Sequence, residues 1–198
     1  MEDKKLTEKE SLELITQMID NTRDKVKKNA GMPFIIWGYS TILVALVVWY
    51  VVTTTGNYWF QLLWFMIPVF GYPLNFLLYK KERKQITTFI DRMIGKVWLV
   101  FGIGVVMCSV MAFIVNNIPI LFLVLLLMSM AVMLSGFVIR FNPAIGFGLF
   151  GILASFVFLF IKGTDQIIIF AALFFIMMVI PGHILNYLTK KEASCSKN

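Results

Sequence analysis

A serine and the only histidine of the chain lie in apolar segments, and together they could carry out nucleophilic hydrolysis. In such chemistry the histidine takes the proton of the serine hydroxyl, while other groups orient the histidine and bind the oxyanion. Ser135 lies in a Met-Leu-Ser-Gly stretch, and His183 follows a Pro-Gly pair. The sequence offers neither an orienting acid nor an oxyanion donor for this pair. We therefore expect no catalytic residue here.

Placed in the fourth and sixth apolar runs, this pair resembles the arrangement of the rhomboid intramembrane proteases. The rhomboid nucleophile lies in a Gly-x-Ser-Gly stretch, whereas Met133 precedes Ser135 by two positions. The resemblance would also require both residues in the outer half of the membrane, and the sequence places them near the cytoplasmic end. We therefore expect that the chain is not a protease, and not an enzyme.

Methionines surround a cysteine in the third and fourth apolar runs, a composition that could bind a soft metal. The residues are Met107, Cys108, Met111, Met128, Met130 and Met133. No carboxylate, histidine or paired motif accompanies them, and methionine also packs adaptably in apolar surroundings. We expect packing here, with no metal and no cofactor. Ionisable residues in the middle of a run, which ion coupling usually requires, are also absent.

Aromatic and polar residues near the inner ends of the runs could hold a small solute. The candidates are Trp37, Tyr39, Tyr72, Asn75, Trp98, Arg140, His183 and Asn186. Asn75, Arg140 and Asn186 share one position of a repeated pattern and could form a polar ring at the inner mouth of a bundle. Alternatively, they hydrogen-bond helix ends and extend towards the interface.

Composition places these residues in a membrane. The chain is 59% hydrophobic and 15% charged, and its apolar residues form six runs near the roughly 20 residues that cross a bilayer. The runs cover about 34–52, 58–79, 97–115, 119–139, 144–161 and 166–188. The fold class is therefore all-α, a polytopic membrane protein with six transmembrane helices. The net charge of +7 lies almost wholly between and outside the runs, so no nucleic-acid partner is expected.

A repeated pattern of Gly, ring, any residue, aliphatic, polar and aromatic ends three of the runs, and an aromatic-Gly pair begins each unit. Its copies lie at 71–76, 136–141 and 182–187, at 33 or 34 residues from the first glycine of their unit. The glycines are Gly38, Gly71, Gly102, Gly136, Gly148 and Gly182. Small residues let membrane helices approach closely. The pattern predicts three parallel-oriented helical hairpins, about 33–80, 96–140 and 143–190, with these glycines in helix packing.

The basic residues indicate the orientation. With the N-terminus in the cytoplasm, 17 of the 18 Lys and Arg residues lie on the cytoplasmic side and only Lys162 lies outside. We therefore expect a multi-pass protein of the bacterial inner (cytoplasmic) membrane with both termini cytoplasmic.

The polar N-terminal segment, residues 1–32, predicts an amphipathic helix ahead of the membrane domain at 33–198. Thr7 and Glu10 have the spacing of a capping box, and the helix is expected to end near 29–31, stopped by Pro33. Its apolar stripe consists of Leu12, Ile15, Ile19, Thr22 and Val26, widened by Leu14 and Met18. Seven acidic and seven basic residues balance, so attraction to anionic lipid is small. Residues 7–28 could dock on the bundle, on a cytoplasmic protein, or on a second copy.

The start of the first run, Pro-Phe-x-x-Trp-Gly-Tyr at 33–39, resembles small uncharacterised bacterial multi-span inner-membrane proteins that have a polar N-terminal helix. The resemblance implies an inner-membrane location and no activity. Two functions remain open. One is a non-enzymatic scaffold or signalling anchor that presents its N-terminal helix to a partner. The other is a transporter or binder of an apolar or weakly polar small solute.

Overall fold

The computed structural model of the chain describes residues 7–79, 89–115 and 118–195. Regular structure in these residues is helical throughout, without a strand, so the all-α prediction is confirmed. The α-helices are α1 (Glu8–Thr55), α2 (Met66–Tyr79), α3 (Phe89–Ile114), α4 (Ile120–Ile139), α5 (Asn142–Ser155), α6 (Gln166–Phe174) and α7 (Ile180–Cys195). A 3-10 segment (Tyr58–Phe65) precedes α2, another (Phe156–Leu159) follows α5, and a π turn (Phe175–Val179) joins α6 to α7.

Five helical segments of the described residues are long and apolar enough to cross a membrane. They are Gly31–Thr55, Arg92–Ala112, Ile120–Ile139, Asn142–Leu159 and Gln166–Thr189. A helix of 20 residues rises about 30 Å, which is the thickness of the hydrocarbon core. The chain is therefore a membrane protein with several spanning helices.

α1 is one continuous helix of 48 residues, and Pro33 lies inside it. The prediction that the N-terminal helix ends near residues 29–31 is wrong. A proline removes one backbone hydrogen bond, whereas a helix end leaves four carbonyls unpaired at the edge of an apolar segment. Continuing the helix therefore leaves fewer polar groups unpaired.

The capping box at the start of α1 is confirmed. The Thr7 amide donates to the Glu10 carboxylate at 2.8 Å, and the Glu10 amide donates to the Thr7 hydroxyl at 3.4 Å. These bonds satisfy two amides that the helix itself leaves unpaired. They fix where α1 begins.

The apolar run at 58–79 is not a single α-helix, and it is not among the five segments. Asn57 starts its 3-10 half, because its side chain accepts a hydrogen bond from the Trp59 amide at 3.0 Å. Pro68 has no amide hydrogen, and proline is tolerated in the first turn of an α-helix, where the amides have no helical partner. The α-helical pattern therefore begins only at Met66, and α2 has 14 residues.

The last span changes its hydrogen-bond pattern once. The Ile180 amide donates to the Phe175 carbonyl five residues earlier, which defines the π turn. Pro181 follows and has no amide hydrogen, so the Met177 carbonyl receives no bond from it. Such a lost bond is a common setting for a π turn within a helix. α6 and α7 nevertheless form one span, Gln166–Thr189.

α4 and α5 form a close antiparallel pair. A Cβ placed on Gly148 would lie 2.7 Å from the Met133 amide nitrogen, and one on Gly136 would lie 2.9 Å from the Ile145 amide nitrogen. Side chains do not tolerate such distances, so glycine is what lets the two backbones approach. The pairs run in opposite order along the two helices, which makes the helices antiparallel.

The interior between the helices is filled with apolar side chains. The largest of the fully buried ones are Phe170, Phe174, Leu125, Ile139, Met177 and Met178. α1 covers this interior with Val44, Ala45, Val48 and Val52, which pack near Ile167 and Ala171 of α6. Contacts of α4 with α5 and of α1 with α7 join different predicted repeat units and are at least as extensive as contacts within a unit. The three hairpins therefore stay a prediction.

α3 lies at the edge of the bundle and packs mainly on α4. None of the residues in its spanning window is buried. A Cβ placed on Gly102 would have no atom of a neighbouring element within 4 Å, although Gly102 was expected to pack like the other repeat glycines. Within the described residues Gly102 therefore makes no close helix contact.

Candidate functional site

The N-terminal end of the first span, residues 31–39, contacts three other helices. We name it the α1 hub and define it by Gly31, Phe34, Trp37, Gly38 and Tyr39. Gly31, Phe34 and Gly38 are buried, Trp37 is half-buried, and Tyr39 is exposed. The hub follows directly on the part of α1 that precedes the membrane span, so it connects that part to the bundle.

Two glycines of the hub bring α1 against the last span. A Cβ on Gly31 would collide with the Asn186 side-chain oxygen and would lie 3.0 Å from the Gly182 carbonyl oxygen. A Cβ on Gly38 would lie 2.7 Å from Cγ2 of Val179. α1 and α7 are therefore antiparallel and nearly in backbone contact. Asn186, a solute candidate from the sequence, lies in this helix interface.

Two aromatic pairs connect the hub to α2 and α3. Trp37 and Tyr72 meet edge to face with ring centroids 5.2 Å apart, and Phe34 meets Trp98 in the same way at 5.7 Å. The Trp37 ring also fills the space beside Gly71, where a Cβ would lie 2.7 Å from it. Such pairs add about 0.5–1.5 kcal/mol each beyond the burial of their surface. Three predicted solute candidates are thus engaged in helix packing.

The histidine pairs with the hub and not with the serine. The Tyr39 hydroxyl and Nε2 of His183 are 3.3 Å apart, and both side chains are exposed on the outside of the bundle. Ser135 is 1% exposed, and its hydroxyl donates to the Ala131 carbonyl at 2.8 Å. The described contacts therefore do not bring Ser135 and His183 into a nucleophile–base arrangement.

The three positions of the predicted polar ring lie on three different helices or helix ends, and the ring itself stays a prediction. Arg140 ends α4 with a left-handed backbone (φ 52°), and its amide donates to the Phe137 carbonyl at 3.2 Å. Asn186 lies between α1 and α7, and the side chain of Asn75 lies outside the described residues. Each position therefore belongs to a different helix end or interface.

Within the described residues no group of three or more His, Cys, Asp or Glu side chains could hold a metal ion. Of the methionines that surround Cys108 in the sequence, Met107, Met111 and Met130 are exposed at 65%, 48% and 43%. Side chains that are this exposed do not enclose a site.

This chain matches no protein-family model, no curated protein and no solved structure. Its function must be inferred from its contacts. The sequence indicates Trp37, Gly38 and Tyr39 as candidate site residues, but not Gly31 or Phe34. A signal for Gly31 was present, since it precedes Gly38 by seven residues and Ala45 follows at the same interval, a spacing that keeps small residues on one helix face.

The part of α1 before the hub carries apolar side chains that the bundle does not cover. Leu12 and Leu14 are 66% and 46% exposed. At its start, the Thr7 amide and hydroxyl donate to the Glu10 carboxylate and lower the pKa of Glu10. Where its side chains are described, this part does not dock on the bundle.

Proposed function

We propose that the chain is a non-enzymatic scaffold or signalling anchor of the bacterial inner membrane, which presents residues 7–28 to a protein partner in the cytoplasm. One observation carries the proposal: α1 is a single helix that begins at Glu8, passes through the hub and ends at Thr55 after crossing the membrane. In this proposal the same helix, α1, contacts the partner at one end and packs in the bundle at the other.

The geometry of α1 decides what its apolar stripe faces. Residues 8–30 add about 35 Å of helix beyond the span. A helix that continues from a span leaves the membrane steeply, so it cannot also lie in the plane of the interface as an amphipathic surface helix does. Leu12 and its neighbours therefore face water, where exposed apolar surface favours association. Burial against a partner is the simplest way to cover them.

Six spans, in three hairpins, complete the proposed architecture. The 3-10 segment Tyr58–Phe65 rises about 2.0 Å per residue and α2 about 1.5 Å, so together they reach about 37 Å, enough to cross the hydrocarbon. With six spans both termini lie on one side. That side is the cytoplasm if the distribution of basic residues, 17 against one, sets the orientation.

Labelling of Cys195 tests this topology, because five spans would place it on the opposite side from the N-terminus. In a Cys108→Ser chain, a membrane-impermeant thiol reagent should modify Cys195 in inside-out vesicles and not in intact cells. Labelling from outside intact cells would contradict the six-span arrangement.

Deleting residues 1–28 tests the proposed role. The deletion stops before the hub, so the variant should insert and unfold at nearly the same temperature as the full chain, while cross-links to its partner disappear. Leu12→Asp should act like the deletion. Glu13→Gln, an exposed change beside it, should not. Unchanged cross-links in the deletion variant would refute the proposal.

The alternative function, a binder of small apolar solutes, has less support. Trp37 packs on Tyr72, Trp98 packs on Phe34, and the interior is filled by rings and methionines. A ligand present at 100 times its dissociation constant adds about 2.7 kcal/mol to the free energy of unfolding. A thermal-shift screen of lipophilic metabolites that gave such a stabilisation would favour the alternative.

A further inference from the structure

The spacing of the apolar residues on the projecting part of α1 is that of a coiled coil. Leu12, Ile15, Ile19, Thr22 and Val26 are separated by three, four, three and four residues, which are the a and d positions of a heptad. The backbone is helical over all of them. A repeat of 3.5 residues makes a narrow seam that fits another helix. An interfacial helix would instead carry a wide apolar face and a basic polar face.

The continuity of α1 fixes the direction in which two copies would meet. All copies in one membrane have the same orientation, and in each copy the projecting part continues the first span. Two neighbouring chains therefore present these segments side by side and parallel, at the same height above the membrane. Confinement to the membrane also raises their effective concentration, which a seam of about two heptads needs.

The flanking residues do not oppose a parallel pair of identical helices. In that arrangement each g residue faces the e residue of the next heptad on the other helix. The pairs are Ser11 with Thr16, Met18 with Arg23, and Lys25 with Ala30. None of them joins two like charges, so no repulsion opposes this register.

We propose that the partner of the N-terminal helix is a second copy of this chain, and that the two form a parallel coiled coil through Leu12, Ile15, Ile19, Thr22 and Val26. The proposal rests on the proposed function, since it names the partner that residues 7–28 meet. Dimer formation outside the membrane holds the two hubs at a fixed distance from each other. It also covers leucine surface that is otherwise exposed to water.

Cysteine cross-linking of the full chain in membranes tests the register. In a chain with Cys108→Ser and Cys195→Ser, Ile15→Cys places the only thiol at a d position, where two copies face each other within the Cα distance of about 4.4–6.8 Å that a disulfide needs. Mild oxidation should give a disulfide dimer. Gln17→Cys, at the f position on the opposite face, is the matched control and should give at least about tenfold less.

A second variant tests whether the a and d residues hold two copies together, and it requires no oxidation. Ile19→Asp buries two carboxylates against each other and should weaken association in nanodiscs by at least about tenfold. Asp20→Asn, at an outward position, should leave it unchanged. Equal cross-linking at positions 15 and 17, or a monomer that Ile19→Asp does not alter, overturns the coiled coil.

The two proposals fail in different ways. If the N-terminal helix binds another protein, the deletion of residues 1–28 still removes a cross-linked partner, but Ile15→Cys gives no dimer. That result overturns self-association and leaves the anchor role standing. If the deletion of residues 1–28 changes neither the cross-links to a partner nor the mass of the assembled protein, both proposals are overturned.

Discussion

Gly148 and Gly102 occupy the same position of the predicted repeat but have opposite surroundings. A Cβ on Gly148 would lie 2.7 Å from both the amide nitrogen and the Cβ of Met133, and 2.8 Å from its Cα. A Cβ on Gly102 would have no neighbouring element within 4 Å. Gly148→Ala and Gly102→Ala thus make one chemical change at two positions that differ in packing.

The magnitude follows from these distances. Replacing glycine by alanine inside a helix gains about 0.4–1 kcal/mol at either position, because alanine is the better helix former. At Gly148 the nearest contact must also lengthen from 2.7 Å towards 3.4 Å, and the atoms are backbone, which cannot rotate away. Overpacking of this kind costs about 1–3 kcal/mol. The difference between the variants isolates that cost, since the helix-propensity gain cancels.

Thermal unfolding of the purified protein, followed by tryptophan fluorescence, measures the difference. In a chain of this size 1 kcal/mol shifts the Tm by about 2–4 °C. We expect Gly102→Ala to unfold at the wild-type temperature or slightly above it, and Gly148→Ala several degrees lower. Gly102→Leu should also be tolerated, because lipid is as apolar as leucine. Equal Tm values for the two alanine variants would refute the close packing of α4 on α5.

Three further predictions address single residues. The indole nitrogen of Trp49 is buried without a hydrogen-bond partner among the described residues, so Trp49→Phe should lower the Tm much less than Trp49→Ala, which removes the ring as well. Arg140 has φ 52°, so Arg140→Val should lower the free energy of unfolding by about 1–2 kcal/mol relative to Arg140→Gly, since glycine accepts this conformation. Hydrogen bonds from Thr7 lower the pKa of Glu10, so the carboxylate stabilises the start of α1 above the pKa it has in the unfolded chain, and this contribution is lost as the pH falls through the lower folded pKa. The Thr7 amide proton resonance should therefore titrate at acidic pH in the wild type and stay constant in Glu10→Gln.

Features that depend on neighbouring residues in the sequence were predictable. The capping box needs only Thr7 and Glu10 at the right interval, and it forms as expected. Long apolar runs predict spanning helices because every backbone polar group in lipid must be paired internally. Five of the six runs correspond to segments long enough to cross the membrane.

Features that depend on competing partners were not predictable. Pro33 reads as a helix stop, but whether a helix continues past a proline depends on what lies beside it, and sequence spacing does not contain that information. Gly102 and Gly148 look alike in the repeat because the pattern records residue type and not the neighbouring helix. The second run begins as a 3-10 segment because of Asn57 and Pro68 together. Its apolar composition alone fits an α-helix equally well.

The contacts around Pro33 explain how one helix can join residues 8–30 firmly to the bundle. A helix that lacks one backbone hydrogen bond bends most easily at that point. Without further contacts, a movement of residues 8–30 would therefore bend α1 at Pro33. Gly31 rests on Asn186 and Phe34 packs against Trp98, one on each side of the proline. With both sides held by other helices, the proline cannot act as a free hinge. These contacts join the start of the first span to α7 and α3, as the proposed anchor role requires.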